Sequence, residues 1–197
     1  MNVLRVAKVA ALPFALAGCA AVTGVLPSAD TYELGVPTID SARPVRRGTQ
    51  ILIAEPQALK ALDSQNVVVQ TDSLTIRYLG KSQWSDRLPR LVQMRLAQAF
   101  QNSGRFTGVG LPGQGLAIDY QIITEIRAFG IDAQSNTAHV AIAVKILNDR
   151  NGVVASERIF DKKVVASGTD NAAFVAAIDA AFEDVARDIV SWATGRL

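Results

Sequence analysis

The sequence contains very little cysteine and histidine, with one of each in 197 residues. One cysteine cannot form an internal disulfide, and the two residues together are too few for a Cys/His zinc site or an iron–sulfur cluster. An excess of one charge is also missing, because 20 basic side chains are offset by 18 acidic ones. This balance argues against a protein that neutralises many phosphates, and therefore against a general nucleic-acid binder.

Apolar residues, by contrast, make up 49% of the chain, which is enough for a folded core and too much for a disordered tail. The length suits one domain of ordinary size. No repeat with the period of roughly 20–50 residues that marks solenoids and propellers is visible. The composition therefore predicts a single globular domain.

The first residues have the organisation of an export signal. Arg5 and Lys8 precede an apolar run over residues 9–17. This run is about half the ~20 residues that a membrane-spanning helix needs, so residues 1–18 are predicted to be a cleaved signal peptide. The two basic residues also account for the net charge of +2, and the remaining basic and acidic side chains are equal in number.

The apolar run ends in an apolar residue, two small residues and a cysteine: Leu16, Ala17, Gly18 and Cys19. This pattern resembles the lipobox of bacterial lipoproteins, in which small residues let the signal peptidase reach the backbone beside the thiol. The resemblance implies that the first three residues are recognised by the peptidase and that Cys19 carries acyl chains. Two or more chains would make the anchoring effectively permanent. The alternative is that Cys19 is a buried free thiol.

Ala20 to Gly48 contains several prolines and glycines and has no sustained period, so residues 19–48 are predicted to be a lipid-anchored tether. Residues 31–34 form a candidate short strand within it. The folded domain is predicted over residues 49–195.

Two segments of the domain have the apolar spacing of amphipathic helices. The first runs over residues 84–100 with Ser85 as a candidate cap, and the second begins at Thr169 or Asp170 and continues to Trp192.

Six segments have the β-branched or alternating pattern of strands: residues 50–54, 67–69, 74–78, 116–128, 138–146 and 153–166. The last of them alternates poorly, which predicts a bulge. Together with the helices, these strands predict an α+β fold in which two amphipathic helices pack on one face of a mixed, largely antiparallel sheet.

Several short motifs follow one another in a recognisable order: the lipobox at Cys19, Tyr32-Glu33-Leu34, Ala54-Glu55-Pro56 with Leu62-Asp63, Trp84-Ser85-Asp86-Arg87-Leu88-Pro89, and Ser103-Gly104-Arg105-Phe106. Their order and spacing resemble the ABC-type transport auxiliary lipoprotein family, the PqiC-like lipoproteins that accompany MCE-domain lipid transporters. The resemblance covers about residues 12–195.

The resemblance implies a non-enzymatic accessory of an intermembrane lipid transport system, held on the cell envelope and facing the periplasm. Its partners would be membrane lipid through Cys19, an MCE-domain protein, and the permease and ATPase of the ABC transporter. A homo-oligomeric ring would suit a symmetric partner. Ala20, where an enterobacterial inner-membrane lipoprotein would have Asp, favours the outer membrane. The alternative function is a lipoprotein that supports envelope integrity or outer-membrane assembly without moving lipid.

No motif indicates a catalytic or metal site, and no cofactor is expected beyond the acyl chains. His139 lies opposite the apolar parity of its strand, which favours a surface histidine.

Four residues are candidates for contact with a partner or lipid: Tyr32, Trp84, Arg95 and Trp192. Core packing is the alternative for both tryptophans. Arg95 falls inside an apolar helical stripe, so it either extends to solvent at the helix edge or belongs to an interface. A cluster of three arginines in the tether is either solvated or in contact with anionic headgroups: Arg43, Arg46 and Arg47.

Overall fold

The sheet of this protein is built around one long strand. The computed structural model describes residues 28–39 and 48–197, and nine strands and two helices are found there. In chain order the strands are β1 (Asp30–Tyr32), β2 (Gln50–Ile53), β3 (Gln57–Ala58), β4 (Asn66–Gln70), β5 (Ile76–Trp84), β6 (Gly108–Gly110), β7 (Tyr120–Asp132), β8 (Thr137–Asn148) and β9 (Val154–Val165). The helices are α1 (Leu88–Asn102) and α2 (Asn171–Arg196). The predicted signal peptide, the lipobox with Cys19 and the three tether arginines lie outside the described residues.

β7 is the central strand. On one edge it pairs in antiparallel register with β8 along its whole length, and β8 pairs in the same way with β9. On the other edge it takes three short parallel strands in succession, namely β2, β3 and β4. β5 and then β1 continue the sheet beyond β4, and β6 continues it beyond β2. The long pairings are antiparallel and the parallel ones span two or three residue pairs each, so the predicted mixed, largely antiparallel α+β sheet is confirmed.

Both helices pack on one face of this sheet. Alternate residues of β8, from Ala138 to Ile146, are fully buried on that face, as the alternating pattern predicted. α2 lies over β8 and β9, and α1 lies over β2 and β6. Trp84, Phe129 and Phe182 connect the sheet to α2 through ring contacts at 6.0 and 5.8 Å between centroids. The apolar stripes of the two helices therefore form one core with one face of the sheet.

The start of α2 agrees with the sequence, whereas the start of α1 does not. Asp170 caps α2 by accepting a hydrogen bond from the backbone N–H of Ala173 at 2.9 Å. Trp84, expected at the start of the first helix, instead ends β5, and its N–H donates to the Gln65 carbonyl at 2.7 Å. Ser85 is therefore not a helix cap. α1 begins at Leu88, with a proline in its first turn and no side-chain cap.

Two strands contain irregularities that change which face a residue occupies. Leu116 and Ile118, expected in the long strand, precede β7, which begins at Tyr120. A bulge between Ile126 and Ala128 then places Ala128 on the opposite face from the one its parity predicted. The bulge predicted in the last strand is present near its start, where the register between β8 and β9 shifts around Ala155.

Candidate functional site

The segment that leads to the predicted lipid anchor is bound to the domain. Residues 28–39 form what we call the N-terminal strap, which pairs as β1 with the edge of β5 and then crosses both helices. On α2, Asp179 Oδ1 accepts from the Gly35 N–H at 2.7 Å, and Glu183 Oε1 accepts from the Thr38 N–H at 3.3 Å. An added Cβ at Gly35 would lie 3.0 Å from the Asp179 carboxylate, so a small residue suits this close approach.

Arg95 fastens the strap to α1. Its Nε donates to the Leu34 carbonyl at 2.6 Å, and a terminal nitrogen donates to Glu33 Oε2 at 2.9 Å. The guanidinium also reaches Gln98 on its own helix. The Leu34 side chain is 1% exposed, because it packs into the hydrophobic core. The charge in the apolar stripe of the first helix is therefore satisfied within the molecule, by residues about sixty positions earlier.

The strap changes the extent of the folded unit. The short strand predicted at residues 31–34 is present as β1, which begins one residue earlier and ends two residues earlier than predicted. Residues 28–39, placed in the tether by composition, are hydrogen-bonded to the sheet and to both helices. The folded unit therefore includes residues on the N-terminal side of residue 49, because tertiary contacts hold a segment that has no period of its own.

The two tryptophans and Tyr32 have different environments. Trp84 is 1% exposed, so the structure favours its core interpretation. Trp192 is half-buried and packs edge to face on Phe160 at 5.5 Å. Tyr32 is half-buried in the strap, and its carbonyl accepts from the Ser85 N–H at 2.8 Å.

The other face of the sheet is not covered by a helix in the described residues, and we call it the open face. A cavity of about 490 Å³ lies on it near the end of β7, between the loop after β3 and the β4–β5 hairpin. Apolar side chains of the loop and the hairpin line one part: Leu59, Leu62, Val68 and Ile76. Cavities of this volume are typical of ligand sites and partner pockets.

Several polar and charged groups on the rim of the cavity have partners within the molecule. His139 is half-buried, and its Nε2 lies 2.9 Å from an Asp161 carboxylate oxygen on the neighbouring strand. Arg127 donates to Glu125 at 3.1 Å. The backbone N–H of Gln134 is the largest of the causes that lower the pKa of Asp132. The cavity is therefore an apolar pocket with a mixed polar and charged rim.

The β4–β5 hairpin projects from the same end of the sheet. Its turn is fixed by Asp72, whose Oδ1 accepts from the N–H groups of Leu74 and Thr75, both at 2.9 Å. The Leu74 N–H is the main cause that lowers the pKa of Asp72. The Leu74 side chain is 94% exposed at the tip. Its exposure is a consequence of the ordered turn beneath it.

At the opposite end of the sheet, the Asp119 carboxylate also bonds to backbone and side-chain donors. Asp119 accepts from the Gln50 N–H at 2.9 Å and pairs with Arg150 at 2.7 Å. The Gln50 N–H, followed by Arg150, lowers the pKa of Asp119. This group joins the start of β2 to the loop that enters β7 and to the β8–β9 turn.

Neither a metal cluster nor a spanning helix is found in the part of the chain that the structure describes. Within residues 28–39 and 48–197, no three histidine, cysteine or acidic side chains are placed to hold a metal ion. Over the same ranges, no helix combines the length and the apolarity needed to cross a bilayer.

Comparison with known proteins gives a consistent result. A family model described as the ABC-type transport auxiliary lipoprotein component matches residues 32–190. The protein bll6063 of Bradyrhizobium diazoefficiens is 29% identical over 164 residues, which are 82% of this chain and 44% of that protein. The chain therefore spans less than half the length of this relative.

Solved structures share the fold. Protein XCC0632 of Xanthomonas campestris has a TM-score of 0.77 and 26% identity, and the match covers 85% of this chain and 97% of that chain. The PelC dodecamer of Paraburkholderia phytofirmans has a TM-score of 0.50 and 8% identity, with 76% and 91% covered. The second likeness concerns the fold alone.

The sequence does not identify the contacts that hold the N-terminal strap on the helices, nor the exposed tip of the β4–β5 hairpin. The sequence marks Arg95 as an unusual charge in an apolar stripe, but its strap partners, Glu33 and Leu34, are distant in the chain. The sequence pattern predicts Leu74 as an ordinary strand residue. The Thr-Asp-Ser turn before it was the one signal that it lies at a tip.

Proposed function

Because the chain belongs to the ABC-type transport auxiliary lipoprotein family, we propose that it is a lipid-anchored, non-enzymatic accessory of an ABC-type system that moves lipid across the cell envelope. In this proposal Cys19 carries the acyl chains and the folded domain faces the periplasm. An MCE-domain protein and the permease and ATPase of the same system are the partners. The ATPase subunit supplies the energy, and this chain supplies a binding surface at the membrane.

The observation that carries the proposal is the N-terminal strap. Ser28 is nine residues after Cys19, a separation that spans at most about 32 Å even when fully extended. The strap is fastened to α1 through Arg95 and to α2 through Asp179. A load on the anchor is therefore transmitted to the helical core, which suits a subunit that is held at a membrane while it binds another protein.

The open face supports the role of the domain as a docking subunit. It carries a cavity of about 490 Å³ and exposed apolar side chains that include Leu59 and Ile159. Large exposed apolar residues on one face are typical of protein or membrane contacts. The covering helices lie on the other face, so a partner can approach the sheet directly.

Cell fractionation tests the anchor. We expect the wild-type protein in the membrane fraction and the Cys19→Ser variant outside it or unprocessed. Ala20 favours the outer membrane, so an Ala20→Asp variant is expected to shift toward the inner membrane in a density gradient. Full membrane retention of Cys19→Ser would refute the proposed lipidation.

Co-purification tests the transport role. Tagged, anchored protein extracted in mild detergent is expected to bring down an MCE-domain protein or the permease of an ABC system. An anchored protein that never does so would be better explained as an envelope-integrity or outer-membrane assembly lipoprotein. The Cys19→Ser variant is the matched control, because it tests whether partner capture requires the lipid anchor.

We also propose that several copies assemble into a ring. The supporting observation is that the PelC dodecamer shares the fold. A closed ring would match a symmetric partner with equivalent contacts. Mass measurement of the detergent-extracted protein tests this point, and a monomer at all concentrations would contradict it.

A further inference from the structure

We propose that the β4–β5 hairpin is a second membrane contact, which rests its tip on the lipid surface to which the chain is anchored. This inference depends on the proposed lipidation at Cys19 and adds the orientation of the domain to it. The hairpin contact consists of residues 71–81, from the turn through most of β5.

The direction of the strap places the hairpin on the anchored side of the domain. β1 runs parallel to β5, with Asp30 opposite Ser82. The chain before Asp30 therefore leaves the sheet toward the N-terminal end of β5, which is the hairpin. The first described residues of the strap therefore point toward the hairpin tip.

The lengths are compatible with simultaneous contact. The β4–β5 register places Gln83 opposite Asn66 and Tyr78 opposite Val68, so Asp30 is close to the level of residue 67. From there β4 and the turn extend five residues to Asp72, about 17 Å at the rise of a strand. The eleven residues from Cys19 to Asp30 span at most about 40 Å. The tether is thus long enough for the tip to reach the surface that holds the acyl chains.

The exposed side chains of the hairpin have the composition of a membrane-contacting segment. Leu74 is 94% exposed, and Ile76 and Tyr78 are 44% and 49% exposed. A leucine at the tip with a tyrosine further back matches the depth preference of the two side chains at a bilayer interface. Ile76 and Tyr78 alternate on the open face, so they approach the same surface.

The charges on the hairpin are compatible with anionic lipid. Residues 71–81 contain two basic side chains, Arg77 and Lys81, and one acidic side chain, Asp72. Both basic residues are exposed. The Asp72 carboxylate accepts two backbone N–H groups of the turn and stays ionised, so the two basic residues leave the hairpin with one excess positive charge. Each basic residue near an anionic surface strengthens its attraction to that surface.

A single-site fluorescent label tests the contact in the full-length lipoprotein. Leu74→Cys provides the only free thiol when Cys19 is acylated, and the site is too exposed for the change to disturb folding. The labelled protein is reconstituted into vesicles of phosphatidylethanolamine and phosphatidylglycerol that contain a nitroxide-labelled lipid. The matched control is Ala117→Cys, an exposed position on the loop before β7 at the opposite end of the sheet.

We expect blue-shifted emission and strong nitroxide quenching at position 74, and neither at position 117. Arg77→Gln in the labelled protein removes one cation from the hairpin. On anionic vesicles we expect it to lower the ratio of quenched to unquenched label about fivefold, because each basic residue adds to the attraction to an anionic surface. On neutral vesicles we expect no change. A label at position 74 that is open to aqueous iodide and unaffected by the nitroxide lipid would overturn the hairpin contact.

Two other results are distinguishable. Protection of position 74 from both iodide and nitroxide would mean that a second copy of the chain covers the hairpin, which also overturns the inference. A protein that does not float with the vesicles at all would refute lipidation at Cys19 and the inference that rests on it. Flotation therefore tests the anchor, and quenching tests the hairpin.

Discussion

Replacing Leu34 tests whether the N-terminal strap is a structural part of the domain. The Leu34→Ala change removes three carbon atoms from a side chain that is 1% exposed. At about 0.8 kcal/mol for each buried carbon, the transfer contribution alone is about 2.4 kcal/mol, and an unfilled cavity raises the total toward about 5 kcal/mol. If the strap detaches from the domain instead, the loss of stability cannot exceed the free energy with which the strap is bound.

The assay combines urea unfolding with proteolysis. A destabilisation of 2–5 kcal/mol lowers the urea midpoint by about 1 M or more at the m-values of ordinary domains. If the strap is released instead, the midpoint changes little, but a glutamyl endopeptidase cleaves faster after Glu33. Val36→Ala, two residues further on and 46% exposed, is the matched control and is expected to change stability by less than about 0.5 kcal/mol. The reasoning is refuted if Leu34→Ala matches this control in both measurements.

Three further predictions concern stability. In Gly130→Ala an added Cβ would overlap the facing Val68 carbonyl oxygen of β4, so we expect the free energy of unfolding in urea to fall by about 1–3 kcal/mol. Gly80 has open space around it, so Gly80→Ala should have little effect. Asp170→Ala removes the cap of α2 and is expected to cost about 1 kcal/mol, measured as a lower Tm, with most of the loss restored by Asp170→Asn. The pKa of Asp119 is lowered mainly by the Gln50 N–H, so the contribution of this carboxylate to stability is present at neutral pH and is lost as the pH falls below about 4. Asp119→Asn should therefore flatten the acid side of a plot of the urea midpoint against pH. An unchanged slope would contradict the assignment.

The boundary between β5 and α1 illustrates why some elements were misplaced from the sequence. The apolar spacing from Trp84 through Leu88 to Leu91 fits a helical stripe, and nothing local to the segment contradicts it. The backbone of Trp84 and Ser85 instead bonds to Gln65 and Tyr32, which are far away in the chain. Periodicity cannot reveal such a pairing, because the same spacing is compatible with a strand that ends in a turn.

The bulge in β7 shows a second limit. Parity places Ile122 and Ala128 on one face, yet the extra residue between Ile126 and Ala128 moves Ala128 to the other. The single glycine nearby, Gly130, allows β4 to approach β7 more closely than a Cβ would permit. Both features follow from fitting β4 against β7, and neither has a local signal strong enough to predict it.

Arg95 and Leu34 show the same limit at the candidate site. The sequence identifies a charge that needs a partner, because an unpaired guanidinium in an apolar stripe is costly. It does not identify Glu33 and the Leu34 carbonyl, which lie in a segment without a period. The cavity on the open face has no signal in the sequence for the same reason, since the loop after β3, the β4–β5 hairpin and β7 form it from distant parts of the chain.

Local interactions explain what the sequence determined by itself. The capped start of α2 at Asp170, the end of α1 at Ser103 and the turn at Asp72 each depend on hydrogen bonds between residues at most four apart, and the amphipathic periods of α2 and β8 select the face that each buries. The tertiary structure alone decided that β7 takes three parallel strands along one edge, that the strap binds both helices, and that β1 runs parallel to β5. Those features depend on pairings across tens of residues, and they form because they bury Leu34 and Trp84 together with the rest of the core.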